Sequence, residues 1–232
     1  LLGIEPNFSC CTTQTQGWPK FIQSVFMQAE EGVALLSYTP ARLDTTVQPL
    51  GVSIGLEGDY PFSDEVEVSV MAEKAISFVL LMRVPSWASA FTATHGETPY
   101  SGEPGTFLRI RKTWKGKSSL KIVMETDYRF VERPNGLYAL VRGPLVFSLP
   151  VQGKWVRQDK PGAKEKPWLD NWEIYPESAW NYGFVRGTKL CASYRHPGTH
   201  PFSESGAPIE IRMTGKKIAW DMERGTCTSL PS

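Results

Sequence analysis

The sequence predicts a mainly β protein, with two antiparallel β-sandwich domains behind a single helix near the N-terminus. Three observations carry this. Beyond Gly32 the apolar residues recur with a period of two. The alternating runs are short and are separated by Gly, Pro and Asp turns. Only one segment has helical spacing, and it precedes all the strands. The chain has 232 residues, enough for one large domain or two of about 100 residues each. Two sandwiches fit that length better, with the break placed near residue 128.

The helix is read over residues 18–31, in "WPKFIQSVFMQAEEG". Pro19 suits a first turn, and Phe21, Ile22, Val25, Phe26 and Ala29 fall on one side. Gly32 is a plausible stop. The first clear strand is "EVEVSVMAE", with Val66, Val68 and Val70 on one face and Glu65, Glu67 and Ser69 opposite. "AISFVLLMRVPSW" is more apolar, which fits a strand covered on both faces and ended by Pro85. "TFLRIRKTW" and "SSLKIVMET" alternate around a turn-like "KGKS". "GLYALVRGPLVFSL" reads as two strands broken at Gly143-Pro144. "APIEIRM" and "KKIAW" are two further strands. Residues 152–183 hold Trp155, Trp168, Trp172, Trp180, Tyr175 and Tyr182 among charges and prolines. Flexible linkers lack such aromatics, so this is read as an ordered excursion.

Composition excludes several function classes. A formal net charge of +1 makes no electrostatic case for nucleic acid or an anionic membrane surface. No apolar stretch approaches the ~20 residues needed to span a bilayer. Leu1 opens the chain and no charged, then apolar, leader follows it, so the chain reads as a fragment of a longer protein. Asn7, Phe8 and Ser9 form a glycosylation triplet. No nucleophile elbow, phosphate loop or dinucleotide fingerprint is present.

The candidate chemistry starts with Cys10 and Cys11, adjacent in "PNFSCCTTQTQGWPKF". Cys191 and Cys227 are the only other cysteines, far too few for a disulfide-stapled scaffold. Adjacent cysteines rarely bond to each other, because one peptide step does not suit disulfide geometry. Two readings remain: packing as small apolar residues, or sharing a zinc ion as thiolate ligands. His95, His196 and His200 are distant in sequence. "HPGTH" spaces His196 and His200 four apart, but Pro197 and Gly198 make it a loop rather than a helix. The tryptophan-rich stretch is either a sugar-stacking platform or a set of rings that pins a long loop. Asp170, Glu173 and Glu177 supply carboxylates nearby, and a glycosidase needs two that flank the bond.

In order along the chain, "GIEPNFSCCTTQTQGWPKF", "MRVPSWA", "LVRGPLVFSL" and "WEIYPESAWNYGF" resemble the C-terminal part of glycoside hydrolase family 127, the β-L-arabinofuranosidase-like proteins. The "CCT…QGWPKF" form is similar to the fungal-type branch. The resemblance implies that residues 1–31 end a helical (α/α)6 barrel and carry the Cys-Cys loop. It makes residues 32–128 a first sandwich and 129–232 a second. It implies a carbohydrate substrate and a barrel domain preceding Leu1 as the missing partner. It also implies a zinc site in which Cys10 and Cys11 are ligands and Cys10 is the nucleophile. The remaining zinc ligands and the glutamate acid/base would lie upstream of Leu1. "TTQTQGWP" departs from the "CCP…N" form of the bacterial arabinofuranosidases, which leaves the sugar open. The alternative is a non-catalytic carbohydrate-binding or scaffolding sandwich that uses Trp168, Trp172 and Trp180.

Overall fold

The computed structural model describes residues 16–47, 50–158, 171–203, 205–223 and 226–229. These residues are mainly β. In chain order the elements begin with helix α1 (Gly17–Gln23), then β1 (Phe26–Ala29), β2 (Gly32–Leu35), β3 (Ala41–Val47) and β4 (Leu50–Glu57). Next come β5 (Glu65–Arg83), β6 (Ala90–His95), β7 (Thr98–Ser101), β8 (Phe107–Glu125) and β9 (Tyr128–Arg133). A tight turn at Pro134–Gly136 leads to β10 (Leu137–Arg142) and β11 (Leu145–Phe147). The remaining strands are β12 (Gly153–Gln158), β13 (Asn171–Pro176), β14 (Tyr182–Phe184), β15 (Cys191–Tyr194), β16 (Ile209–Arg212), β17 (Gly215–Lys217), β18 (Met222–Glu223) and β19 (Thr226–Cys227). No helix among the described residues is long and apolar enough to cross a membrane.

The chain divides into two compact units. One holds residues 16–133 and 138–147, and the other holds residues 134–137 and the described residues from 148 onward. The first unit therefore continues past residue 128 to include the β9–β11 ribbon.

In the first unit an eight-stranded sheet runs β1-β2-β5-β8-β6-β7, with β4 joining β5 and β3 joining β4. All its pairings are antiparallel except β2 with β5, where Gly32–Leu35 lie parallel to Val79–Met82. The alternation at Val66, Val68 and Val70 is the inward face of β5, as the period of two predicts. Val52, Ile54 and Leu56 of β4, Phe91 and Ala93 of β6, and Leu120, Ile122 and Met124 of β8 join them in one core. Its largest members are Trp114, Tyr38 and Phe78. Each such side chain contributes about 1.5–3 kcal/mol by leaving water.

Two expectations are corrected here. "KGKS" is not a turn. Gly116 has φ +64, and the strand runs through it unbroken from Phe107 to Glu125. Its partner β5 is equally continuous, and the register steps between Ala72 and Ile76, so three β5 residues lie opposite Lys115 alone. This bulge does the bending that the sequence pattern assigned to a turn.

The helix is also shorter than residues 18–31. The Ser24 amide donates to the Phe21 carbonyl and the Val25 amide to the Ile22 carbonyl, which tightens the last turn and ends it. Phe26–Ala29 then pair with Gly32–Leu35 across a two-residue turn, so Gly32 opens a strand rather than stopping a helix. Of the residues placed on one side of that helix, Val25 is buried, Phe26 is half-buried and Phe21 is 42% exposed.

The second unit's described residues form two-stranded antiparallel ribbons: β12–β13, β14–β17, β15–β16 and β18–β19. Among them Ile209 is a buried hydrophobic residue.

Candidate functional site

Cys10 and Cys11 lie outside the described residues, as do Trp168 and Asp170. Among the described residues no group of three or more His, Cys, Asp or Glu side chains could hold a metal ion. Cys191 on β15 and Cys227 on β19 are exposed free thiols. His95 is engaged in the first unit: Lys112 Nζ lies 2.8 Å from its Nε2, and Trp114 meets the ring edge-on at 6.3 Å. "HPGTH" is irregular, as its proline and glycine predict. His196 Nδ1 lies 2.9 Å from the Pro197 carbonyl, and the His200 carbonyl accepts from Ser203 Oγ at 2.8 Å.

The tryptophan-rich stretch is partly the β12–β13 ribbon. Its register sets Trp155 opposite Ile174 and Arg157 opposite Trp172. Trp155 and Trp172 are thus diagonal neighbours on one face, meeting edge-on at 6.3 Å. Trp155 is 50% exposed and Ile174 46%. Glu173 lies on the other face, where it accepts a hydrogen bond from Gln158 Nε2 at 2.8 Å and another from the Tyr175 hydroxyl. That hydrogen bond to the Glu173 carboxylate raises the Tyr175 hydroxyl pKa above its ordinary value. Trp180 is used differently. It packs edge-on against Trp220 at 5.3 Å, and Trp220 Nε1 donates to the Thr228 carbonyl at 2.9 Å. Glu177 follows the end of β13, and its amide donates to the Gln152 carbonyl at 2.8 Å.

One convergence was not read from spacing. "RVPSWA" and "LVRGPLVF" meet in the first unit. A Cβ on Gly143 would lie 3.3 Å from the Trp87 ring. The neighbouring Arg142 donates to Asp64 at 2.7 Å and approaches the Tyr128 ring at 5.9 Å. Arg142 is buried, and its bond to Asp64 anchors the β9–β11 ribbon beside the eight-stranded sheet. A second gathering is an open hollow lined by Glu57, Asp59, Glu65, Glu67, Ser119 and Lys121. Glu65 pairs there with Lys121 at 2.8 Å, and Glu67 accepts from the Ser119 hydroxyl at 2.5 Å.

Most of the eight-stranded sheet matches a known family. Residues 32–126 match the family model described as Beta-L-arabinofuranosidase, GH127 middle domain. These residues are a GH127 middle domain. Strands β2 to β8, the bulged β5–β8 pair and Trp114 fall within this middle domain, while β1 and Val25 precede it. Among solved structures, one described as a glycoside hydrolase shares the fold at a TM-score of 0.55 and 21% identity, over 67% of this chain and 30% of that one. A GH127 beta-L-arabinofuranosidase from Geobacillus stearothermophilus T6 aligns at a TM-score of 0.49 and 18% identity, over 84% of this chain and 31% of that one. A GH127 beta-arabinofuranosidase aligns at 0.47 and 14%, over 82% and 32%. The chain thus spans about a third of the length of these structures. A comparison with curated proteins gives no match.

Proposed function

We propose that the chain is part of a retaining glycoside hydrolase of the β-L-arabinofuranosidase type, to which it contributes a middle domain and the nucleophile loop. The observation that carries this is the family match over residues 32–126. The proposal extends from the middle domain to Cys10 and Cys11 through the resemblance of the residues around them.

Cys10 is the proposed nucleophile. Its thiolate attacks the anomeric carbon as the leaving-group oxygen takes a proton from a carboxylic acid outside this sequence. The resulting carboxylate then deprotonates a water, which displaces Cys10 from the opposite side. Two inversions give net retention, with a thiolate in the role usually held by a carboxylate.

Cys10 and Cys11 are two soft donors, a set that fits zinc but fills half of a four-ligand shell. Zinc held there would keep the thiolates deprotonated near neutral pH and fix their direction. The other ligands, like the acid/base, are proposed to precede Leu1, in a helical barrel domain. Residues 1–232 alone are therefore expected to be inactive.

The test is zinc content and β-L-arabinofuranosidase activity of the full-length parent, with wild type beside Cys10→Ser. One zinc per chain and loss of activity in the variant support the proposal. Unchanged activity in Cys10→Ser overturns it. A second reading, a non-catalytic carbohydrate-binding module, is favoured only by the partly exposed aromatic face of Trp155 and Trp172. The packing of Trp180 on Trp220 removes one of the rings it would use.

A further inference from the structure

We draw no further inference here: the strongest candidate, the aromatic face of the β12–β13 ribbon formed by Trp155, Trp172 and Ile174, is a partly exposed apolar face, and nothing in the structure shows what covers it.

Discussion

Arg142 donates to Asp64 at 2.7 Å, a contact between positions 78 apart in the chain. The arginine side chain is 8% exposed and the carboxylate 31%. Removing the arginine strands a partly desolvated carboxylate and also vacates the space beside Tyr128. Arg142→Met should cost about 2 kcal/mol in urea unfolding, as expected for breaking one side of a partly buried pair. Asp64→Asn should cost less, because a neutral amide can still accept. A double-mutant cycle with no coupling between the two positions would show that the pair is not a structural tie.

Gly32 lies where β2 runs parallel to β5. A Cβ there would come 2.2 Å from the Val79 carbonyl oxygen and 2.9 Å from its nitrogen. Both are backbone atoms, so no side chain can swing aside. Gly32→Ala should therefore destabilise by about 2 kcal/mol or more, the range of forced overpacking. Gly116→Ala is the comparison: its φ is +64 but nothing lies within 4 Å of the added carbon. It should cost about 1 kcal/mol from backbone strain alone. Equal thermal midpoints for the two variants would contradict this ranking.

Tyr38 is buried, and its hydroxyl donates to the Arg83 carbonyl at 2.6 Å. Tyr38→Phe leaves that carbonyl without this donor and should lose about 1–2 kcal/mol in chemical denaturation. Burial raises the hydroxyl pKa above its usual value, with the nearby Arg83 charge opposing. The sign follows: the neutral phenol's contribution is complete below the unfolded pKa of about 10 and is lost as pH rises beyond it. Wild type should thus lose stability in strong alkali more steeply than Tyr38→Phe.

Glu31 accepts hydrogen bonds from Arg111 and Arg109. The Arg111 hydrogen bond is the larger cause of its lowered carboxyl pKa. A depressed folded value means stability present above the unfolded pKa of about 4.3 and lost as pH falls through the folded one. The melting-temperature gap between wild type and Glu31→Gln should therefore be widest near about pH 7 and close in acid. Added salt should narrow it as well, since the group is exposed. A gap that is constant with pH would mean the carboxylate's charge contributes nothing.

Trp155 and Trp180 should separate the ribbon's two readings. Trp155→Ala removes a half-exposed ring and should lower the melting temperature less than Trp180→Ala does. Trp180→Ala breaks a ring pair with Trp220 and should lower it, by about 1–3 kcal/mol of stability. Soluble oligosaccharides, followed by tryptophan fluorescence, provide the binding readout. A signal lost in Trp155→Ala would favour a carbohydrate-binding role for this face.

Much of the first unit was legible in the sequence because one face of each strand is dry and the other wet. Val66, Val68 and Val70 against Glu65 and Glu67 leave no second register open. The errors came where local chemistry has two meanings. Gly116 in "KGKS" permits a turn and equally a left-handed residue within a bent strand, and the pairing with β5 chose the second. Phe26 and Ala29 fit a helical stripe, yet pairing with β2 satisfied their backbone groups instead. The proposed site was legible only as residue types. Two adjacent thiols name a donor chemistry, but their geometry depends on partners that spacing cannot reveal. Arg142 and Asp64 had no local signal at all, because neither has an informative neighbour within one element.

The two 19-residue strands, β5 and β8, pair with each other on both sides of their shared bulge. Neither end of the sheet can be released without loosening a strand that also serves the other end. Amide hydrogens at Val66–Val70 and at Phe78–Met82 should therefore exchange with solvent through one common opening, as a single cooperative block. Folding must also wait for segments far apart in the chain to meet, so the domain should fold slowly for its size.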